Sequence, residues 1–126
     1  MGHLGLLPQS DKSFKYKGKQ KTEREKIIND AKLLEEAGVF SIVLECVEAS
    51  LAKDVTQNLV IPTIGIGASK YCDGQILVFD DLIGLNPMNY RFVKKFANIR
   101  KEISKAVFKY SKEVKKHKFP NKKTSY

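Results

Sequence analysis

A short apolar run between two helical patterns places the strongest constraint on the fold of this chain. Residues 41–44 (SIVL) lead into Glu45, and apolar residues recur at helical spacing on both sides of the run. Residues 61–67 (IPTIGIG) repeat the strand pattern, and Pro62 fits only at its start because proline cannot donate to a sheet ladder. Strands that alternate with helices in this way predict an α/β fold with parallel strands.

The two predicted helices around Glu45 have recognisable limits in the sequence. Thr22 and Glu25 match a capping box at the start of the first helix, and Gly38 is typical of the position just after a helix ends. The second helix is predicted over residues 48–58. The apolar residues predicted to face the core are Ile27, Ile28, Ala31, Leu33 and Leu34 in the first helix and Leu51, Ala52, Val55 and Leu59 along the second.

The remaining segments extend this alternation. Residues 1–10 have the pattern of a strand end that passes into a loop, and the lysine-rich residues 11–21 predict an exposed loop. Residues 75–79 predict a further strand. Residues 89–117 carry a long amphipathic pattern that we expect to contain more than one helical segment. These strands are too few to close a barrel, so we expect unpaired sheet edges.

Glu45 is the strongest candidate for a functional side chain. Side chains at the carboxyl ends of parallel strands face the ligand crevice of α/β folds. A carboxylate in such a partly dry site is a usable proton acceptor. The alternative is an ordinary acid at a strand end, hydrogen-bonded to a loop amide or to a neighbouring arginine.

Composition and charge narrow the function classes. The chain has 126 residues, of which 42% are hydrophobic, so it can bury a core. Its net charge of +9 comes largely from two lysine-rich stretches, residues 12–26 and 94–123, but no nucleic-acid-binding motif accompanies them. The apolar runs are too short to span a membrane. Cys46 and Cys72 form no C-x-x-C pair, and we interpret both as reduced thiols of a cytosolic protein.

Four long motifs, read in order, resemble one family. They are GHLGLLPQS, LLEEAGVFSIVLECV, IPTIGIGASKYCDGQILVFDDLIGL and the closing FPNKKTSY, and the family is ketopantoate hydroxymethyltransferase. The resemblance implies the C-terminal half of a (β/α)₈ TIM barrel, with strands equivalent to the end of the fifth through the eighth and a helical C-terminal extension. Residues 1–126 would then be a single partial barrel domain, from a truncated, split or incompletely predicted gene.

The resemblance also implies a reaction. The family transfers a hydroxymethyl group from 5,10-methylenetetrahydrofolate to 3-methyl-2-oxobutanoate, giving 2-dehydropantoate for pantothenate and coenzyme A synthesis. Glu45 in VLECV matches the general base, and His3 in GHLGL matches a pocket histidine near the keto acid. Ile66 and Val78 match strand positions that line the substrate pocket, although plain barrel core is an alternative for both. The family is cytoplasmic, commonly decameric, and binds Mg²⁺ through ligands of its amino half, so no metal ligand is expected in this chain.

The departures from the family pattern bear on activity. Leu7 stands where the family usually has threonine, and Asp80 stands where histidine is frequent. We expect no turnover from the isolated chain, and activity only with a complementing N-terminal half. The alternative is a non-catalytic half-barrel that acts as an assembly or interaction module, and a basic nucleic-acid binder ranks last.

Overall fold

The computed structural model describes residues 1–11 and 15–126. They form two compact units, residues 1–77 and residues 78–126. The interpretation of residues 1–126 as one partial barrel domain stays a prediction. None of the helices in the described residues is long and apolar enough to cross a membrane.

The first unit is a four-stranded parallel sheet with two helices, which confirms the predicted α/β class. Each strand pairs with its sequence neighbour in the order β1-β2-β3-β4. The strands are β1 (Gly2–Gly5), β2 (Ile42–Glu45), β3 (Thr63–Ile66) and β4 (Gly74–Gln75), and the helices are α1 (Lys21–Glu36) and α2 (Ala49–Asn58). The sheet is consistent with part of a TIM barrel, because β1–β2 and β2–β3 are parallel pairs joined through a helix, which is the repeating unit of that fold.

The helices cover one face of this sheet. Side chains alternate between the two faces along each strand. Ile42 and Leu44 of β2 are both 0% exposed, and they belong to one hydrophobic cluster with residues of α1 and α2. Each such buried aliphatic side chain contributes about 1.5–3 kcal/mol. Val43 and Glu45 alternate with them and are only half-buried. The sheet therefore has a covered face that stabilises the unit and an open face.

The predicted faces of the two helices are largely confirmed. Leu33 is the exception, because it is 61% exposed. The predicted residues that lie in or against the core are Ile27, Ile28, Ala31 and Leu34 of α1, and Leu51, Ala52, Val55 and the following Leu59 of α2.

The predicted capping box of α1 is wrong, whereas its predicted end is confirmed. Gln20 occupies the N-cap without a side-chain hydrogen bond, and Thr22 lies inside the helix. The carboxylate of Glu23 instead accepts a 2.6 Å hydrogen bond from the Gly18 amide. This bond joins the first turn of α1 to the segment that precedes it. At the other end Gly38 has φ +83°, and the Gly38 and Val39 amides donate back to the last turn, as in a Schellman motif.

The predicted exposed loop over residues 11–21 is only partly confirmed. Residues 12–14 lie outside the described residues. Lys17 forms a parallel bridge with Val47 and is half-buried, and Gly18 is buried against Leu51 of α2. Lys17 and Gly18 therefore pack against the chain around Val47 and against α2.

A polar network joins α1 to the start of α2. Glu48 caps α2 by accepting from the Leu51 amide at 3.0 Å, and it also accepts from the Ser50 hydroxyl at 2.6 Å and from Arg24 at 2.8 Å. Arg24 reaches on to Asp54 at 3.1 Å. The hydrogen bond from Ser50 first, and then those from the Leu51 amide and Arg24, lower the pKa of Glu48 to about 2.

We predict that Glu48→Gln destabilises the chain by about 1 kcal/mol at pH 7, because a helix cap is lost and partial exposure screens the ion pair. The pKa of Glu48 is lowered in the folded state, so its contribution is present above pH 4.5 and is lost as pH falls toward 2. The stability difference between wild type and variant should shrink over that window in urea unfolding. Glu25→Gln, which affects an exposed pair at 3.9 Å, is the control. A difference that does not change with pH would contradict the prediction.

The predicted strand over residues 75–79 is wrong beyond Gln75. β4 ends at Gln75, and Val78 is the N-cap of a short helix, α3 (Phe79–Leu82). Asp80 and Asp81 lie in the first turn of α3, where acidic side chains favour a helix N-terminus. The carbonyl of Val78 accepts from the amides of Asp81 and Leu82. Val78 is therefore not on a strand, and it is 55% exposed.

The second unit contains α3 and a long helix, α4 (Ile99–Lys115). The amphipathic pattern predicted a helical start near residue 89, but the helix begins only after Asn98, whose side chain accepts from the Lys101 amide. The reason is that the Phe96 and Ile99 amides donate to the carbonyls of Leu82 and Ile83. The segment before Ile99 therefore lies against the end of α3 and does not form a helix. No residue of α4 is buried, and its apolar stripe is exposed within this unit.

Candidate functional site

The carboxyl edge of the sheet in the first unit brings the predicted acid next to other site residues. Glu45 is the last residue of β2 and lies in register with Gly5 of β1 and Ile66 of β3. His3 lies two residues before Gly5 and therefore shares the face of Gly5, Glu45 and Ile66. This is the open face, so the Glu45 side chain is not enclosed by α1 or α2.

His3 contacts the carboxylate of Glu45. The His3 Nε2 atom lies 3.3 Å from Glu45 Oε2 and 3.0 Å from the Leu6 carbonyl oxygen. A carbonyl oxygen can only accept, so Nε2 carries the hydrogen. This N–H group donates to the Leu6 carbonyl, while the Glu45 carboxylate lies within ion-pair distance of the same nitrogen. The side chains of His3 and Glu45 are 38% and 15% exposed. The carboxylate is mostly shielded, yet the pair remains open to a small molecule.

Backbone hydrogen bonds hold the end of β2 from three directions. The Leu6 amide donates to the Glu45 carbonyl at 2.8 Å, and the Cys46 amide donates to the Ile66 carbonyl at 2.8 Å. The Lys17 amide donates to the Cys46 carbonyl at 2.7 Å. Sequence reasoning did not identify Leu6 or Lys17, because both act through the backbone, which leaves no signal in residue type.

Gly5 allows β1 to approach this point closely. Gly5 has φ +100°, and a Cβ atom there would collide with the Glu45 carbonyl oxygen and a methyl group of Val47. Any other residue would be strained and would push β1 from the end of β2. The sequence signal was present, since the glycine of GHLG allows such a conformation.

Gly65 has a different role from the one its position suggested. Glycines at the carboxyl end of a strand, such as Gly65 and Gly67, can let a ligand approach the backbone. A Cβ atom on Gly65 would instead meet the Gln75 amide group at 2.9 Å and the Cys72 sulfur at 3.1 Å. Gly65 therefore makes room for packing inside the protein, whereas Gly67 turns the chain with φ +64°.

Cys46 follows Glu45 in an unusual backbone conformation. Its φ is +49°, and its side chain is only 8% exposed. Burial raises the pKa of the Cys46 thiol, and the charge of neighbouring Glu45 raises it further. A thiol held neutral in this way is a poor nucleophile. Cys46 therefore turns the chain and packs. Cys72 is also a free thiol, and it too is buried.

We predict that Cys46→Gly is more stable than Cys46→Ala by about 0.5–1 kcal/mol, because a left-handed conformation costs a residue with a Cβ atom about 1–2 kcal/mol and the lost methyl burial offsets part of this. Cys72 is the matched control, since it is also buried but does not have a positive φ. There alanine should be the more stable replacement. Urea unfolding of the four variants measures both differences, and the same order at both positions would refute the role of φ.

The structure brings together three of the four predicted site residues. His3, Glu45 and Ile66 share one sheet edge, and Ile66 is 8% exposed. Val78 belongs to the second unit. Leu7 is 43% exposed, and its amide donates to Asp11 at 2.8 Å, while Asp80 is exposed on α3.

Comparison with known proteins identifies the family. The family model described as ketopantoate hydroxymethyltransferase matches residues 1–122. The chain belongs to this family. It is 63% identical over its full length to the 3-methyl-2-oxobutanoate hydroxymethyltransferase of Pelagibacter ubique. It is 51% identical, again over its full length, to the protein of that name from Clostridium botulinum, and 50% identical over 95% of the chain to that of Sulfolobus acidocaldarius.

The match to ketopantoate hydroxymethyltransferases is partial in one respect. The chain covers 49% of the Pelagibacter ubique protein, 47% of the Clostridium botulinum protein and 46% of the Sulfolobus acidocaldarius protein. It thus spans about half the length of these relatives.

The residues present do not fit the metal that the resemblance implies. Within residues 1–11 and 15–126, no group of three or more His, Cys, Asp or Glu side chains could hold a metal ion. Glu45 has His3 beside it and an aliphatic neighbour in Ile66. What this arrangement can do by itself is accept a proton from a small molecule on the open face.

Proposed function

We propose that this chain supplies the carboxyl-terminal half of a ketopantoate hydroxymethyltransferase, with Glu45 as the general base. The observation that carries the proposal is the place of the Glu45 carboxylate at the carboxyl edge of a parallel sheet, on its open face and beside the N–H group of His3. This is where α/β barrels bind and transform substrates. Family membership supports the same reaction.

The proposed reaction begins with proton removal from carbon 3 of 3-methyl-2-oxobutanoate. This carbon is acidic because the adjacent ketone stabilises the enolate, and a positioned carboxylate accelerates the transfer. The methylene carbon of 5,10-methylenetetrahydrofolate loses its bonds to both folate nitrogens and gains one bond to the enolate carbon and one to the oxygen of a water molecule. One water supplies the hydroxyl oxygen of 2-dehydropantoate, and its hydrogens and the substrate proton end on that hydroxyl and on two nitrogens of tetrahydrofolate.

His3 positions the base in this proposal. Its Nε2–H group donates to the Leu6 carbonyl, which holds the ring 3.3 Å from Glu45 Oε2 and so keeps a polar partner beside that oxygen. The other Glu45 oxygen is then the proton acceptor. Ile66, in register with Glu45, provides an apolar wall, and Val78 remains a proposed pocket residue on the resemblance alone.

The proposed partner is a polypeptide that carries the amino-terminal half of the barrel. The chain spans about half of its relatives, and the open face of its sheet is not covered by α1 or α2, so its outer parts are available to a second half. No step is assigned to Mg²⁺, because the described residues do not form its site. Assembly into a larger cytoplasmic homo-oligomer belongs to the same proposal.

The open face also supports the second candidate function. A half-barrel without catalysis could use this face to bind a partner subunit, and apolar surface of this kind commonly marks an interaction site. The two functions differ in one result, namely whether the complex with an amino-terminal half forms product.

We predict that this chain, co-expressed with the amino-terminal half of the Pelagibacter ubique relative, forms a complex that makes 2-dehydropantoate in the presence of Mg²⁺. The chain alone should not. Product formation is measured by mass spectrometry, and complex formation by size-exclusion chromatography. A stable complex without product would favour the assembly function, and a well-folded chain that binds no amino-terminal half would contradict both.

We predict that Glu45→Gln lowers kcat of this complex by about 10²–10⁴-fold, because the amide cannot accept the substrate proton. Exchange of the carbon 3 proton with deuterated water, followed by NMR without the folate, should fall in parallel. Glu36→Gln is the control, since Glu36 is exposed at the end of α1. Full exchange in the Glu45 variant would exclude Glu45 as the base.

We predict that His3→Ala lowers kcat of the complex by about tenfold or more and that His3→Gln recovers part of it, because glutamine also offers an N–H donor. A positioning role should leave KM for 3-methyl-2-oxobutanoate nearly unchanged. If instead KM rises while kcat is retained, His3 binds the keto acid and does not position Glu45.

A further inference from the structure

A second row of side chains lies on the open face directly below Glu45. His3, Val43 and Ile64 are in register across β1, β2 and β3, two residues before Gly5, Glu45 and Ile66. Strands rise about 3.3 Å per residue and lie about 4.8 Å apart. Val43 therefore lies about 6.6 Å below Glu45 on the same face, with Ile64 beside it.

These two aliphatic side chains are not used by the core of the unit. Val43 and Ile64 are half-buried, whereas their neighbours on the covered face, Ile42 and Leu44, are both 0% exposed. Beside them in the row stands the polar ring of His3. The area under the carboxylate thus combines an apolar surface on β2 and β3 with a polar group on β1.

We propose that Val43 and Ile64 form the apolar floor that receives the methyl groups of the 2-oxo acid and sets the size of its carbon branch. The proposal rests on the proposed function. Carbon 3 of 3-methyl-2-oxobutanoate carries the proton that Glu45 removes and also carries both methyl groups. Both methyl groups are bonded to the carbon that carries this proton. When the proton points at Glu45, the methyl groups therefore lie close by and need an apolar surface beside the carboxylate.

The floor is suited to discriminate between substrates. Valine and isoleucine are branched at Cβ and stiff at χ1, so they cannot easily move to accept a longer branch or fill the space left by a shorter one. One methylene group in such a pocket changes specificity by about tenfold or somewhat more. Ile66 closes the same pocket at the level of Glu45.

The test uses one substitution on each face of the sheet. Ile64→Val removes a methylene from the floor, and Ile42→Val removes the same group from the covered face one strand away. The complex with the Pelagibacter ubique amino-terminal half is assayed with 3-methyl-2-oxobutanoate and with the smaller 2-oxobutanoate. The measured quantity is kcat/KM for 3-methyl-2-oxobutanoate divided by kcat/KM for 2-oxobutanoate. Ile64→Val should lower this ratio by about three- to tenfold, and Ile42→Val should leave it unchanged within about twofold. Equal changes in the ratio would overturn the floor, because they would reflect general loosening of the sheet.

A binding measurement on the chain separates this inference from the proposed function. The chain with ¹³C-labelled valine and isoleucine methyl groups is titrated with 3-methyl-2-oxobutanoate and with pyruvate, and methyl and amide NMR shifts are followed. The floor predicts shifts of Val43 and Ile64 methyl groups that are larger with the branched acid. Shifts confined to the His3 and Glu45 amides would overturn the floor and leave the proposed function standing. No shift at any residue, together with an inactive complex, would overturn both.

Discussion

The backbone of residues 45 and 46 is the point on which the rest of the first unit depends. Its carbonyls and the Cys46 amide make hydrogen bonds to Leu6, Ile66 and Lys17, which belong to three separate parts of the chain. Cys46, whose amide and carbonyl make two of these bonds, has a left-handed backbone conformation. Because buried backbone groups are costly to leave unpaired, the site residue is fixed by the same bonds that close the sheet edge.

The two faces of the sheet differ in how far they are covered. The covered face buries Ile42 and Leu44 completely against α1 and α2, and this gives the unit its core. The open face carries His3, Val43, Glu45 and Ile64 at partial exposure. In a closed α/β barrel the face opposite the helices lines the interior, so the open face is the one that a barrel of the proposed kind would enclose.

Much of the first unit could be predicted from the sequence, because it follows from periodicity and glycine chemistry. Glu45 ends its strand as expected, and Gly38 ends α1. The failures occur where tertiary hydrogen bonds compete with local preference. Thr22 lost the cap position because Gly18 is bound by Glu23, and the helix expected near residue 89 starts at Ile99 because its amides pair with α3. Val78 is the N-cap of α3 and not a strand residue, because Asp80 and Asp81 favour the start of a helix there.

Two carboxylates three residues apart show how surroundings assign roles to the same side chain. Glu48 accepts hydrogen bonds from Ser50, Leu51 and Arg24, which hold its pKa at about 2. A group that remains ionised under so many donors is a poor proton acceptor and serves as a cap. Among the described residues, the Glu45 carboxylate has one ion-pair partner, His3, which lies 3.3 Å from one of its two oxygens. Under the proposed function, the carboxylate with fewer partners is the base and the one with more partners is the cap.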